Sequence, residues 1–174
     1  MTASTTLDTP DGPFTIVADD GVVLASGWTD DVASLLTLVH PELLPAGPGA
    51  PTVRAVPESA ADVAAPATAV RAYYAGDPTG VGQVPVRQRS GPYRQHAWEV
   101  LRTVPPGTRV TYTEYADRTG RPAAVRAAAG ACARNAAALF VPCHRVLRSD
   151  GTLGGFRYGL DIKESLLARE RAAA

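Results

Sequence analysis

Apolar positions follow different rhythms in the two halves of the chain. Residues 14–28 read FTIVADDGVVLASGW: two runs rich in β-branched residues flank Asp19-Asp20-Gly21, the signature of a hairpin. Residues 31–39 predict a short helix. Residues 41–66 are rich in Pro, Ala and Gly and carry no clear period, which predicts a loop or a weakly ordered linker. Residues 67–74 predict a helix that stops at Gly76-Asp77-Pro78, and residues 81–86 a strand. The expected N-terminal domain, residues 1–89, is thus a small α+β unit, and it shows no catalytic constellation.

From residue 90 the pattern is helical. Tyr93, Ala97, Trp98, Leu101 and Val104 form one apolar stripe, ended by Pro105-Pro106-Gly107. Thr111 and Glu114 have the spacing of a capping box, so a helix should start there and run to Thr119, before Gly120. Pro122 suits the first turn of a second, alanine-rich helix reaching Ala133. Two short helices around a glycine turn make a helix-turn-helix pattern, which many proteins that never touch DNA share. Residues 136–146 (AAALFVPCHRV) form an apolar run that ends on Cys143-His144-Arg145, and a last helix is expected over residues 161–170. The fold expected is α/β: a small N-terminal β-sheet domain, then a mostly helical domain over residues 90–174 with a helix-turn-helix and an active-site loop.

Composition narrows the chemistry. The 174 residues are 45% hydrophobic and 20% charged, as in a globular protein. The N-terminus shows no secretory pattern, and no apolar run is long enough for a bilayer, so the expected location is the cytoplasm. The net charge of zero hides a division: residues 1–89 carry −6 and residues 90–174 carry +6. A cationic half suits a polyanionic partner such as DNA, and equally suits a dipolar protein with solvated charges. Two cysteines, Cys132 and Cys143, are too few for a disulfide framework and are expected to be free thiols.

Cys143 is the candidate nucleophile. A thiolate attacks carbon far better than a thiol, so the site needs a base or a positive charge nearby. His144 is adjacent, but neighbours on an extended segment point to opposite faces, which favours a water bridge over direct contact. Glu170 is placed to orient the imidazole. Taken alone, Cys143 reads first as buried filling, and Tyr112, Arg126, His144 and Glu170 each read first as ordinary structural residues. Asp161 and Lys163 read as solvated helix residues.

The string Pro142-Cys143-His144-Arg145-Val146 resembles the active-site motif of the O6-alkylguanine-DNA alkyltransferases. The likeness extends to Thr111-Tyr112-Thr113-Glu114-Tyr115-Ala116, to residues 121–135 (RPAAVRAAAGACARN), and to Gly154-Gly155-Phe156-Arg157-Tyr158-Gly159-Leu160 with Lys163, Leu166, Leu167 and Glu170. It covers residues 92–174, and the N-terminal half matches only loosely.

The resemblance implies direct-reversal repair. An alkyl group would pass irreversibly from O6-alkylguanine in double-stranded DNA to Cys143, once per molecule and without a cofactor. His144 would serve as base through water and Glu170 would hold it. Tyr112 would hydrogen-bond N3 of the flipped base. Arg126 would enter the base stack, with Ala127 and Ala128 letting the helix approach the minor groove. Asn135 would brace the turn before the reactive segment. The carbonyls of Cys143 and Val146 would read the guanine amino group, and Phe156, Arg157 and Tyr158 would line the pocket. The expected partner is damaged duplex DNA, with no membrane, and the chain is expected to act as a monomer.

Four positions depart from the pattern: Ala129 stands where glycine is usual, Cys132 takes a pocket-side position that often carries another residue type, and Tyr93-Arg94 replaces Phe-Gln. No Cys lies in residues 1–89 and His40 is the only His there, so no zinc site is expected. Two other classes stay in view. One is a DNA-docking sensor, whose relatives lack the acceptor cysteine. The other is a thiol hydrolase, which would leave the helix pair unexplained and lacks an oxyanion device.

Overall fold

In the computed structural model, which describes residues 1–47, 49 and 51–174, the expected hairpin forms one side of a four-stranded sheet. Strand β2 (Gly12–Asp19) turns into β3 (Val22–Gly27) through Asp20 and Gly21, both at positive φ (50° and 76°). That is the geometry of a tight two-residue turn, which aspartate tolerates and glycine favours. Strand β1 (Ala3–Thr9) pairs antiparallel with β2, and β4 (Arg54–Ala55) lies parallel to β1, giving the order β3-β2-β1-β4.

Helices α1 (Val32–Leu36) and α2 (Ala64–Tyr74) follow the hairpin. Asp31 caps α1 by accepting from the Ser34 N–H. Phe14, Ile16 and Ala18 face one buried cluster with Val70 and Tyr73, while Val17 faces another with Leu35 and Val39. The central strand is therefore covered on both faces, and each of its large side chains contributes about 1.5–3 kcal/mol by leaving water.

Three expectations in this half need correction. Residues 41–66 are not all loop: a 3-10 turn (Pro41–Leu43), β4 and the first turn of α2 lie within them. Part of that expectation falls on Pro48 and Ala50, which lie outside the described residues. Residues 81–86 are not a strand. Gly80–Gln83 form a 3-10 turn, since glycines at 80 and 82 suit a turn better than a pleat, and only Val86 pairs, parallel to Val23. Strand β1 itself carried little signal, because ASTTLDT mixes small and polar residues.

The second half follows its apolar stripes. Helix α3 (Pro92–Arg102) has Pro at its start. Helix α4 (Tyr112–Arg118) opens with the complete capping box: Thr111 accepts from the Glu114 N–H, and Glu114 accepts from the Thr111 N–H. Helix α5 (Val125–Ala133) begins slightly later than its pattern suggests, and α6 (Leu160–Ala173) is longer at its end. Two two-residue strands, β5 (Val110–Thr111) and β6 (Val146–Leu147), pair in parallel and set the start of α4 beside the segment carrying Cys143.

The two halves share one buried cluster. Ser26 of β3 hydrogen-bonds through its backbone to Ala136 and Ala138, so the apolar run after α5 is docked along the N-terminal sheet. Among the described residues, no helix is long and apolar enough to cross a membrane.

Candidate active site

The residues Cys143–Arg145 form a single 3-10 turn rather than an extended segment. Side chains in such a turn do not alternate, and His144 and Arg145 both turn inward toward α6. His144 is fully buried, and its Nε2 lies 2.6 Å from Oε1 of Glu170. Arg145 grips the same carboxylate with two donors, Nε to Oε2 (2.9 Å) and Nη2 to Oε1 (2.8 Å), and gives Nη1 to the Val104 carbonyl. The Tyr73 hydroxyl adds another donor to Oε1 at 3.1 Å.

These contacts set the charge states. Burial alone pushes the Glu170 carboxyl upward, but the His144 hydrogen bond and the Arg145 charge outweigh it and hold the group well below the usual carboxylate range. Burial drives His144 down, and Arg145 and Lys163 add to that effect against the opposing pull of Glu170. The pair is therefore a neutral imidazole donating Nε2–H to a carboxylate. That tautomer leaves Nδ1 with a lone pair, and Nδ1 is buried without a protein partner among the described residues.

Cys143 borders a cavity of about 300 Å³. Tyr112, Cys132, Asn135, Phe156, Arg157 and Tyr158 are among the residues lining it. Burial pushes the Cys143 thiol upward, offset in part by a hydrogen bond from Asn135 and by the charge of Lys163. The resting sulfur is thus a thiol.

Asn135 spans this turn. Its Nδ2 donates to the Val141 carbonyl (2.8 Å) and to the Cys143 sulfur (3.3 Å), and its Oδ1 accepts from Gln88 Nε2 and from the Ala137 N–H. All the amide's capacity is engaged, which holds the sulfur at the cavity wall.

Tyr112 opens α4 on the cavity rim, and burial pushes its hydroxyl up to about 12, so it stays protonated. It packs against Gly154, where a side-chain carbon would stand 3.4 Å from the tyrosine ring. Tyr158, which also lines the cavity, donates to the Ser26 carbonyl (3.3 Å) and lies so close to Gly27 that an added methyl would sit 2.0 Å from its oxygen. The Tyr158 ring meets those of Trp28 and Phe156 edge to face, and Trp28 and Phe156 are tilted against each other, with ring centroids 5.5–5.8 Å apart.

Arg126 and Ala127 are exposed on α5. Arg126 makes no hydrogen bond or ion pair among the described residues.

Ala128 does not belong with them. It is fully buried, because it lies one residue further round α5 on the side packed into the core. Val146 does not line the cavity: its side chain is in the core, and its carbonyl accepts from Lys163 Nζ at 2.7 Å. Lys163 is not solvated. It is fully buried and also donates to the carbonyls of Leu153 and Gly155, tying the cavity's Gly155 edge to β6. A helical position three residues from Leu160 and Leu166 looks like a boundary in sequence, and only the three carbonyls that converge on it explain a buried ammonium. Asp161 is exposed, as expected.

Sequence reasoning assigned no role to Arg145, Tyr73 or Gln88. For Arg145 a signal existed, since a charge inside an apolar run is buried only with a partner.

Residues 92–172 match the family model described as 6-O-methylguanine DNA methyltransferase, DNA binding domain. The bifunctional transcriptional activator/DNA repair enzyme Ada of Escherichia coli is 48% identical over 87 residues, half of this chain and 25% of Ada. A methylated-DNA–protein-cysteine methyltransferase of Shigella flexneri is 37% identical over 101 residues, 58% of this chain and 59% of that protein. The chain thus spans less than two thirds of the length of either relative. The solved structure of Mycobacterium tuberculosis OGT in complex with DNA superposes with a TM-score of 0.78 at 27% identity, covering 99% of this chain and 94% of that one.

Proposed function

We propose that the chain is a member of the 6-O-methylguanine DNA methyltransferase family, whose DNA-binding-domain model matches residues 92–172, and that it repairs O6-alkylguanine in double-stranded DNA by taking the alkyl group onto Cys143, once per molecule, in the cytoplasm. The observation that carries this reading is the combination of a cysteine on a cavity wall with a buried imidazole–carboxylate pair behind it. The fold relationship to OGT bound to DNA supports the DNA partner. The +6 charge of residues 90–174 supports it too.

The chemistry follows from the charge states. An alkyl group on a stacked guanine is out of reach, so the nucleotide must leave the helix and enter the cavity. Arg126, exposed on α5 beside Ala127, fills the gap left in the stack and offsets part of the unstacking cost of a few kcal/mol. The Cys143 proton passes to Nδ1 of His144 through a water molecule, and Glu170 stabilises the imidazolium through Nε2. The sulfur attacks the alkyl carbon in line as the C–O6 bond breaks. Tyr112 donates its proton to N3 of the departing guanine, and the proton held on His144 restores the balance. Phe156, Arg157 and Tyr158 bound the base, and the Cys143 carbonyl reads its amino group.

In this division of labour, residues 90–174 carry the reacting groups and residues 1–89 buttress them. The stable thioether leaves no route back to the thiol, so each molecule reacts once.

Duplex DNA carrying a labelled O6-methylguanine tests the proposal. Label should move to the protein in about one equivalent, and peptide mass spectrometry should find it on Cys143. Cys143→Ser should bind the same DNA and accept no label. Transfer by that variant would overturn the assignment, and tight binding without transfer by the unaltered chain would make it a sensor instead.

A further inference from the structure

We propose that Tyr73, on the N-terminal helix α2, is a positioning residue of the reactive centre that keeps His144 able to take a proton. This rests on the reading of Cys143 as acceptor and His144 as base.

Tyr73 is 2% exposed and 97 residues away from Glu170 in sequence, yet its hydroxyl donates to Oε1 at 3.1 Å. Oε1 is the same atom that holds Nε2 of His144. The other acceptor within reach, the Leu166 carbonyl, is longer at 3.4 Å and uncharged, so the carboxylate is the better partner. Packing alone does not call for a hydroxyl here. Ala67, Ala69 and Val70 bury the same helix with apolar side chains, and a phenylalanine would fill the ring's place.

The hydroxyl matters because of how Oε1 divides its charge. That oxygen accepts from His144 (2.6 Å), Arg145 Nη2 (2.8 Å) and Tyr73 (3.1 Å); Oε2 accepts from Arg145 Nε (2.9 Å) and the Gly107 N–H (3.5 Å). Each donor draws negative charge from the carboxylate and weakens its pull on an imidazolium. The charged groups around the pair are Arg145 on the Cys143 turn, Lys163 and Arg169 on α6, and Asp11 beyond Arg169 and Tyr74. Tyr73 is the neutral donor among them that a single atom deletion removes without creating or exposing a charge. With it, His144 stays unprotonated at neutral pH and can receive the thiol proton. Without it, Glu170 holds the imidazolium more firmly and the base is occupied to higher pH.

The test is Tyr73→Phe in the full chain. The single-turnover rate of label transfer from O6-methylguanine duplex is followed from about pH 5 to about pH 9, alongside the melting temperature. The acid limb of the rate should move upward by roughly half a pH unit, with the alkaline plateau within about threefold of the unaltered chain. Replacing Tyr73 by 3,5-difluorotyrosine keeps the shape, strengthens donation, and should move the limb downward. That second protein carries the test if Tyr73→Phe fails to fold.

A limb unmoved in either folded protein overturns the role of Tyr73, whatever the melting temperature does. Failure of the underlying reading looks different: Cys143→Ser would still accept label.

Discussion

Replacing Glu170 by Gln removes one charge from a fully enclosed cluster and changes no volume. In the native chain the carboxylate balances Arg145, which is 4% exposed, and fixes His144, which is fully buried. An amide keeps one acceptor and turns the other position into a donor. Arg145 then lacks its counter-ion, and at least one of Arg145 Nε, Arg145 Nη2, His144 Nε2–H and the Tyr73 hydroxyl faces another donor.

Breaking a buried pair from one side costs about 3–5 kcal/mol, because the remaining charge stays out of water. That is a large part of the ~5–15 kcal/mol that holds a domain together. At about 2–4 °C per kcal/mol for a chain of this length, the melting temperature should fall by roughly 6–20 °C. Glu164→Gln is the control: Glu164 is exposed on the same helix, and its change should stay within about 0.5 kcal/mol. Urea unfolding of the three proteins at neutral pH measures the difference. A Glu170→Gln protein within about 1 kcal/mol of the unaltered chain would refute the claim that this carboxylate is the charged centre of the cluster.

Two more outcomes follow from the same geometry. Acid should weaken the fold in two steps. Both His144 and Glu170 are held below their ordinary values of 6.5 and 4.5, so the unfolded chain binds their protons first; the stabilisation is complete above those values and is lost as pH falls through and below them. The urea midpoint should therefore drop between neutral pH and about pH 5, and His144→Gln should flatten that first step; an equal drop in the variant would remove His144 from the account. Arg126→Ala should slow repair in duplex DNA by about tenfold or more and leave reaction with free O6-methylguanine base nearly unchanged, as measured by parallel single-turnover assays; equal loss on both substrates would exclude the wedge role.

What was legible in the sequence was local. The Asp20-Gly21 turn, the Thr111–Glu114 capping box and the apolar stripe of α3 each depend on residues a few positions apart, and each formed as read. The C-terminal motif strings were legible because their spacing is dense around Cys143. The misreadings were of residues whose environment is assembled from afar. Lys163 looked like an ordinary helix surface lysine, and its three carbonyl partners come from β6 and from the loop before α6. Ala128 looked like Ala127, and one helical step of rotation separates an exposed methyl from a buried one. The Cys143 turn was read as extended because an apolar run of β-branched and small residues has no marker for a 3-10 turn.

The same distinction explains why the N-terminal half appeared silent. In the proposed mechanism it supplies no reacting atom, and the sequence reading found no motif in it that carries chemistry. Its contribution lies in hydrogen bonds spanning 47, 97 and 132 residues: Gln88 to Asn135, Tyr73 to Glu170, and Tyr158 to the Ser26 carbonyl. Each meets a different part of the site, namely the amide that holds the sulfur, the carboxylate that holds the base, and the ring that walls the cavity. Such contacts leave no periodic trace, because one hydroxyl or one amide among apolar neighbours barely alters a pattern. They also differ in kind from core packing. A leucine that replaces an isoleucine in the sheet should change stability, whereas under the proposed function the loss of one of these three contacts should act on where the sulfur, the imidazole or a bound base stands. Under the proposed function the sheet half is the outer support of the reactive centre, and its substitutions should be sorted by whether they reach one of these three bonds.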